Sequence, residues 1–185
     1  MAVLALLRER PRHPYEMQAL LRERQVGAVV KIRGGSLYDT VQRSLKAGLV
    51  EPVDRTRSGA RPERTVYALT DAGADLLHTL VRGSVAEVRP EYPVFPAGLA
   101  HILHLERAEA VELLHERCRA LEKIVEENAS ALAAARESGV PPVVLLEADH
   151  GMLLRRTEIG WLRETALAIE DGTVDWAVPP TTPQE

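Results

Sequence analysis

Residues 35–49 read GSLYDTVQRSLKAGL, and this stretch decides how the first half of the chain folds. Its apolar side chains at helical spacing are Leu37, Val41 and Leu45. Such spacing predicts a helix with one buried stripe. Ser36 and Asp39 have the spacing of a capping box, in which each side chain satisfies a backbone N–H of the first turn. We therefore predict a helix that starts at Ser36 and ends at Gly48, a residue type that commonly terminates helices.

The opposite face of this predicted helix is polar. It carries Asp39, Gln42, Arg43 and Lys46, with Tyr38 and Thr40 on the flanks. The major groove of DNA is about 12 Å wide and admits such a helix. In that groove a glutamine can read adenine and a basic side chain can read guanine, whereas a basic side chain on a phosphate adds affinity without sequence information. A polar face is equally typical of an ordinary solvated helix, so the neighbouring segments decide between the two interpretations.

The segments around this helix have the order of a winged helix-turn-helix. The predicted elements are helices at residues 2–9 and 14–24, strands at 49–53 and 65–69, and a helix from Thr70 to about residue 85. A turn-rich tip joins the two strands and holds Arg55, Arg57, Arg61 and Arg64. Arginines at this place would lie along the DNA backbone or enter the minor groove. With the basic hairpin in place, DNA binding is favoured over a merely solvated helix.

Charge is distributed unevenly along the chain. The 185 residues carry 23 Lys and Arg against 27 Asp and Glu, a formal net charge of −4. Residues 1–82 hold 14 basic and 9 acidic side chains, and the remainder holds 9 and 18. The first part therefore has a net charge of +5 and the second part −9. Such asymmetry indicates nucleic-acid contact by the first part.

The second half of the sequence predicts almost only helix. Pro90, Pro93 and Pro96 mark a boundary between a winged helix-turn-helix domain at residues 1–85 and a helical domain at 90–170. The predicted helices of the second domain cover residues 97–104, 106–138 and 143–170. The expected fold is thus mainly α-helical, with a small β-hairpin wing.

The first long helix carries a coiled-coil seam, in which the spacing alternates between three and four residues. The seam consists of Val111, Leu114, Cys118, Leu121, Val125, Asn128, Leu132 and Ala135. The two long helices, joined by a tight turn, would form a hairpin with more apolar surface than it can bury by itself. An exposed seam of this length is a liability in water, so we predict a second copy and a symmetric dimer. Asn128 either sets the register of that dimer or lies at its solvated end. Residues 171–185 are expected to form a mobile tail in which Trp176 can dock.

Other functional classes find little support in the sequence. Cys118 is the single cysteine, and its seam position is typical of a small buried side chain rather than a redox sensor. His101 and His104 lie three residues apart, but no third ligand follows at a suitable spacing, so neither a metal nor another cofactor is expected. No nucleophile–base pair or phosphate loop predicts an enzyme. The longest apolar runs have five or six residues, against about 18 for a membrane span, and we expect a cytoplasmic protein.

Four motifs resemble those of PadR-type transcriptional regulators. They are residues 11–17 (PRHPYEM), 35–38 (GSLY), 48–50 (GLV) and 61–73 (RPERTVYALTDAG). The resemblance implies a homodimeric repressor on a pseudo-palindromic double-stranded DNA operator. The DNA contacts that it implies are Tyr15, Ser36, Tyr38 and Arg43, with Arg61 and Arg64 on the wing. Tyr15 and Tyr38 have a competing role as half-buried core residues, and Pro14 stands where the family usually has glycine.

The same resemblance implies a small aromatic effector, since the family includes regulators that release DNA when such a compound binds. The side chains available for its pocket are Tyr92, Phe95, His101, His104, His150, Arg155 and Trp161. Together they would give an apolar pocket with a few polar anchors. Alternatively, Trp161 fills the core of the dimer interface. The alternative to a regulator is a winged-helix interaction or scaffold module that does not read DNA.

Overall fold

The computed structural model of the chain describes residues 1–24, 34–56 and 64–177, with the backbone alone for residues 34–36, 55, 56 and 64. Two compact units are present, Met1–Pro90 and Glu91–Glu185. The mainly helical fold with one two-stranded antiparallel hairpin confirms the predicted fold class.

The first unit follows the predicted order of elements. They are α1 (Ala2–Glu9), α2 (Pro14–Glu23), α3 (Gly34–Lys46), β1 (Val50–Thr56), β2 (Arg64–Leu69) and α4 (Asp71–Ala86). The start predicted for α3 is two residues too late, because the helix begins at Gly34 and not at Ser36. Ser36 is therefore part of the first turn and not the residue that caps it. The amides of a first turn have no intrahelical acceptor, and residues added upstream supply carbonyl acceptors for them, so the two glycines can continue the helix.

One apolar core holds the first unit together. Its buried members are Val3, Leu4, Leu6, Leu7, Met17, Leu21, Leu37, Val41, Val50 and Tyr67. On α3 the predicted stripe is confirmed at Leu37 and Val41, but the third buried residue is Ser44, while Leu45 packs half-buried at the edge of the core. Spacings of three and of four residues both fall near one helix face, which is why the pattern did not distinguish these neighbours.

The end of α3 turns the chain into the wing. Gly48 has a φ of 69°, a conformation that favours glycine. The amide of Leu49 donates to the carbonyl of Ser44 at 2.9 Å, which closes the helix end. Thr70 then caps α4 as predicted: its hydroxyl donates to the Gly48 carbonyl at 2.8 Å and accepts from the Gly73 amide at 3.1 Å. One threonine thus joins the end of α3 to the start of α4.

The wing is a two-stranded antiparallel sheet, and one residue outside it, Arg12, also pairs with β2. Val50 pairs with Leu69, and the register shifts between Pro52 and Asp54. Arg12, between α1 and α2, pairs with Tyr67 of β2, and both backbone hydrogen bonds measure 3.0 Å. The base of the wing is therefore tied to the first two helices.

Two long antiparallel helices form the second unit. Its elements are α5 (Val94–Leu99), a 3₁₀ turn (Ile102–His104), α6 (Arg107–Glu137), a second 3₁₀ turn (Pro142–Leu145) and α7 (Leu146–Glu170). The long helices match the predicted ranges within three residues at every end. The short helix predicted at 97–104 instead starts at Val94, because a proline such as Pro96 is tolerated in a first turn.

Part of the apolar seam of α6 packs against α7 of the same chain, as expected of two long helices joined by a tight turn. Buried Val111, Leu114 and Cys118 pack against Ile159, Leu162, Ala166 and Ile169 of α7. Leu121 and Val125 pack half-buried beside this cluster, and Leu132 packs with Leu145 and Met152. Asn128 is half-buried. The tight turn after α6 returns the chain along the seam, so an intramolecular contact forms without the entropy cost of association.

The predicted tail is described as far as residue 177, and within it Trp176 packs against the helices. Its ring packs against the α6–α7 cluster, and its indole N–H donates to the Leu105 carbonyl at 3.4 Å. The guanidinium of Arg107 donates to the carbonyls of Ile169 and Glu170, so it caps the end of α7. Residues 178–185 of the predicted tail lie outside the described residues.

The close approach of α4 to the wing generates a stability prediction. A Cβ on buried Gly73 would lie 2.1 Å from the Leu49 carbonyl oxygen and 2.7 Å from Leu69 Cδ1. The Leu49 backbone cannot rotate away as a side chain can, so Gly73→Ala should lower the free energy of unfolding by about 1–3 kcal/mol. Urea unfolding followed by circular dichroism measures this difference.

Gly83→Ala, on the same helix, is the matched control. A Cβ there meets only the ends of flexible side chains, the nearest being Glu87 Oε1 at 3.3 Å. That variant should be neutral or up to about 1 kcal/mol more stable, because alanine favours helix. Equal effects of the two substitutions would contradict the close approach.

Candidate functional site

The outer face of α3 is solvent-exposed and polar. Its exposed side chains are Tyr38, Asp39, Gln42, Arg43 and Lys46, and Thr40 is half-buried beside them. Each of these residues was predicted on this face. The side chain of Ser36 lies outside the described residues. The face combines hydrogen-bond donors, acceptors and two cations, which is the chemistry that base edges and phosphates require.

Arg43 lies along its own helix. Its guanidinium donates to the Thr40 hydroxyl at 3.1 Å and its Nε to the Asp39 carbonyl at 3.4 Å. Both contacts are exposed, so exchanging them for a phosphate or a guanine edge costs little. Lys46 lies one turn further along on the same exposed face.

The side chain of Gln42 forms a hydrogen bond with a residue of the wing. Its side-chain Nε2 donates to the hydroxyl of Tyr67 at 3.3 Å. Tyr67 is 7% exposed and belongs to the core of the first unit. The wing tyrosine is thus a core residue with its hydroxyl at the edge of the polar face.

Tyr15 is 66% exposed at the start of α2, so it is not the half-buried core residue that was the alternative. Its amide donates to Nδ1 of His13 at 3.1 Å, and the His13 amide donates to Glu16 at 3.2 Å. This reciprocal cap was missed in the sequence, although the motif HPYE has the spacing of a capping box. Buried Pro14 occupies the first helical position, where its fixed φ suits the helix.

Arg12 is a buried cation that sequence reasoning also missed. It is 4% exposed, its Nε donates to the Leu6 carbonyl at 3.1 Å, and its guanidinium lies 2.5 Å from Glu9. The same carboxylate accepts two hydrogen bonds from Arg24, at 2.5 and 3.0 Å. An arginine beside a glutamate three residues away is common on any surface, so no local signal marked this one as buried.

The hydrogen bond from Arg24, together with the nearby charge of Arg12, holds the pKa of Glu9 below its usual range. A carboxyl whose pKa falls on folding stabilises the fold above its ordinary pKa, and this contribution is lost as the pH falls through the lowered value. Glu9 is therefore ionised at neutral pH and balances the buried cation.

The predicted wing contacts fall in the least described part of the unit. Arg61 lies outside the described residues, and of Arg64 the backbone alone is described, at the start of β2. Both therefore remain sequence predictions.

A groove of about 710 Å³ lies in the second unit, between α5, α6 and α7. Its lining residues are Pro93, Val94, Phe95, Pro96, Leu99, Arg117, Leu154, Thr157, Glu158 and Trp161. The Phe95 and Trp161 rings pack edge to face, with 6.1 Å between their centroids. Arg117 lies over the Phe95 ring, 3.8 Å from its centroid, and its Nε donates to Glu158 at 2.6 Å. The groove is thus apolar and aromatic, with one ion pair as its polar end.

Two of the predicted pocket residues, Phe95 and Trp161, line this groove. The other predicted residues do not line it: Tyr92 is 92% exposed, His101 and His104 stack on each other, and His150 and Arg155 lie elsewhere on α7. The sequence missed Arg117 and Glu158 because they lie 41 positions apart and meet only across the helix pair.

Cys118 is buried, and its thiol donates to Glu122 at 3.2 Å. Burial raises the pKa of this thiol, so it stays protonated. The described ranges bring no three His, Cys, Asp or Glu side chains into a group suited to a metal. Among the described helices, none combines the length and the hydropathy needed to cross a membrane.

The order of elements and the exposed polar face of α3 define a winged helix-turn-helix unit followed by a unit of long helices. Residues 3–79 match the model of the transcriptional regulator PadR-like family, which confirms the resemblance seen in the four motifs. No curated protein sequence matches the chain.

Solved structures of the same fold cover nearly the whole chain. Bacillus subtilis PadR in complex with operator DNA is 20% identical, covers 91% of this chain and 95% of its own, and has a TM-score of 0.72. The same protein in complex with p-coumaric acid is 18% identical, with coverages of 91% and 96% and a TM-score of 0.73. The Vibrio cholerae virulence activator AphA is 19% identical, with coverages of 92% and 96% and a TM-score of 0.71. At this identity the likeness shows the fold.

Proposed function

We propose that the chain is a sequence-specific DNA-binding transcriptional regulator that acts as a homodimer. The observation that carries this proposal is the exposed polar face of α3 beside the wing, on a unit with a surplus of basic residues. In this proposal α3 is the recognition helix and enters the major groove. Gln42 reads adenine, and Arg43 and Lys46 contact guanine or phosphate. Tyr15, Ser36, Tyr38, Thr40, Arg61 and Arg64 make the remaining contacts.

Repression is the mode that the family resemblance favours, since a bound dimer blocks access to a promoter. The neighbour from Vibrio cholerae is named as an activator, so the fold by itself does not select repression. A reporter gene behind the operator distinguishes them: deletion of the regulator should raise expression, and a fall in expression would assign activation instead.

The recognition helix generates the first functional prediction. Arg43→Ala and Lys46→Ala should each lower the affinity for the DNA upstream of the protein's own gene, roughly tenfold if the side chain reads a base. If the side chain binds phosphate instead, the plot of log affinity against log salt concentration should become less steep by about one unit, because one fewer counterion is released. Fluorescence anisotropy at several salt concentrations measures both quantities.

Arg119→Ala is the control for the loss of one positive charge. This exposed side chain pairs with Glu112 on α6, in the other unit, so its removal should leave DNA affinity unchanged. If wild-type affinity is absent or insensitive to salt, the chain does not read DNA and the scaffold interpretation replaces this proposal.

The outer face of α7 supports the homodimer. Besides the buried side that packs on α6, this helix exposes Leu146, Leu153, Leu154, Trp161 and Leu167. Exposed apolar surface costs about 25 cal/mol per Å², so these side chains favour a second packing partner. We therefore assign the dimer contact to this outer face, in place of the α6 seam.

A double substitution tests this assignment. Leu153→Glu with Leu167→Glu places two charges on the outer face, so the dimer should dissociate in sedimentation experiments at micromolar concentration. The affinity for a two-part operator should fall too, because a monomer presents one recognition helix. Leu103→Glu, at an exposed leucine on a 3₁₀ turn, is the matched control. Persistence of the dimer in the double variant would contradict the assignment.

The groove between α5, α6 and α7 supports a small aromatic effector. Phe95 and Trp161 offer aromatic surface in this groove for a flat ring to pack against, and the Arg117–Glu158 pair offers further N–H donors and carboxylate oxygens to its polar end. A neighbour of the same fold was solved with p-coumaric acid, an aromatic acid of this kind. Trp161 also belongs to the outer face of α7, so the competing role is that it fills the dimer interface.

Titration with p-coumaric acid tests the effector. Calorimetry should show binding to the wild type and at least about tenfold weaker binding to Trp161→Ala, since an aromatic wall of the groove is lost. Tyr92→Ala removes an exposed aromatic residue that does not line the groove, and it should bind like the wild type. If Trp161→Ala loses the dimer but keeps the ligand, the interface role is correct. Absence of wild-type binding would exclude this acid as the effector and leave DNA binding standing.

A further inference from the structure

Tyr67 places its hydroxyl at a fixed point beside α3. Its backbone N–H and carbonyl both pair with Arg12 at 3.0 Å, and its side chain is 7% exposed. Arg12 in turn is held by the Leu6 carbonyl and by Glu9. Neither the backbone nor the ring of Tyr67 can therefore shift without disturbing α1 and the core.

The amide of Gln42 rests on this fixed hydroxyl, 3.3 Å from Nε2. A primary amide has two N–H donors and one carbonyl oxygen. Donation of one N–H to Tyr67 leaves the second N–H and the carbonyl oxygen of this exposed side chain for an outside partner. A coplanar donor and acceptor is the pair that matches N7 and N6 of adenine in the major groove.

We propose that Tyr67 is a specificity-determining residue, which orients the amide of Gln42 for adenine. The inference rests on the proposed function, because it concerns how the recognition helix reads its operator. Tyr67 is too buried to reach a base itself, so it is a positioning residue that acts through Gln42. A merely structural tyrosine would affect stability and binding to every DNA sequence alike, whereas a positioning residue affects one base pair.

Tyr67→Phe isolates this role, since it removes the hydroxyl and keeps the ring in the core. The full-length wild type first selects its operator from a randomised duplex library, and anisotropy then measures affinity for each single-base variant. Gln42→Ala identifies the base pair that Gln42 reads, as the position where the preference for A·T is lost. At that position Tyr67→Phe should reduce the preference by about three- to tenfold, the range that one hydrogen bond contributes. Affinity should be unchanged at the other positions and for unrelated DNA.

Tyr92→Phe removes an exposed hydroxyl in the second unit and should leave every preference as in the wild type. NMR of the DNA-free protein gives an independent readout, because the side-chain amide of Gln42 should become more mobile in Tyr67→Phe. Full retention of the preference, or an equal loss of affinity for all sequences, would overturn the assignment. A wild type that selects no sequence at all would overturn the proposed function itself, and this assignment with it.

Discussion

Buried Arg12 couples the first helix to the wing. Arg12 pairs with β2 through its backbone and with the end of α1 and Glu9 through its side chain. A buried cation costs several kcal/mol unless it is paired, so these partners have to stay together for the unit to fold. Because Tyr67 lies opposite Arg12 and its hydroxyl meets Gln42, the constraint extends to the polar face of α3. The geometry of the candidate DNA interface thus depends on a residue that does not lie on it.

The second unit depends on a different constraint, which is the burial of the apolar surface of its long helices. Helix α7 buries one side against α6 and still exposes five large apolar side chains on its outer face. The tight turn between the long helices lets α7 bury seam residues of α6 within the chain. The large apolar side chains on the outer face of α7 stay exposed to solvent. The groove with the Arg117–Glu158 pair borders this surface through Leu154 and Trp161. Dimer formation and ligand binding are therefore proposed for adjoining parts of one face.

Local signals in the sequence predicted most of the fold. Gly48 and Thr70 marked helix boundaries because a cap involves residues only a few positions apart. The polar residues of α3 were predicted on one face because 3.6-residue periodicity is a property of the helix itself. The start of α3 was missed because the glycines before Ser36 join the helix, and Ser44 replaced Leu45 in the core because both positions lie near the buried side.

The sequence by itself determined the order of helices and strands, the division of charge between a basic first part and an acidic second part, and the residues of the polar face. Each of these follows from composition or from neighbours within a few positions. The tertiary structure alone decided which seam residues of α6 are buried against α7, that Arg12 is buried, and that Arg117 meets Glu158 beside Phe95. These contacts join residues far apart in the chain, and packing selects them among many partners that the same pattern allows.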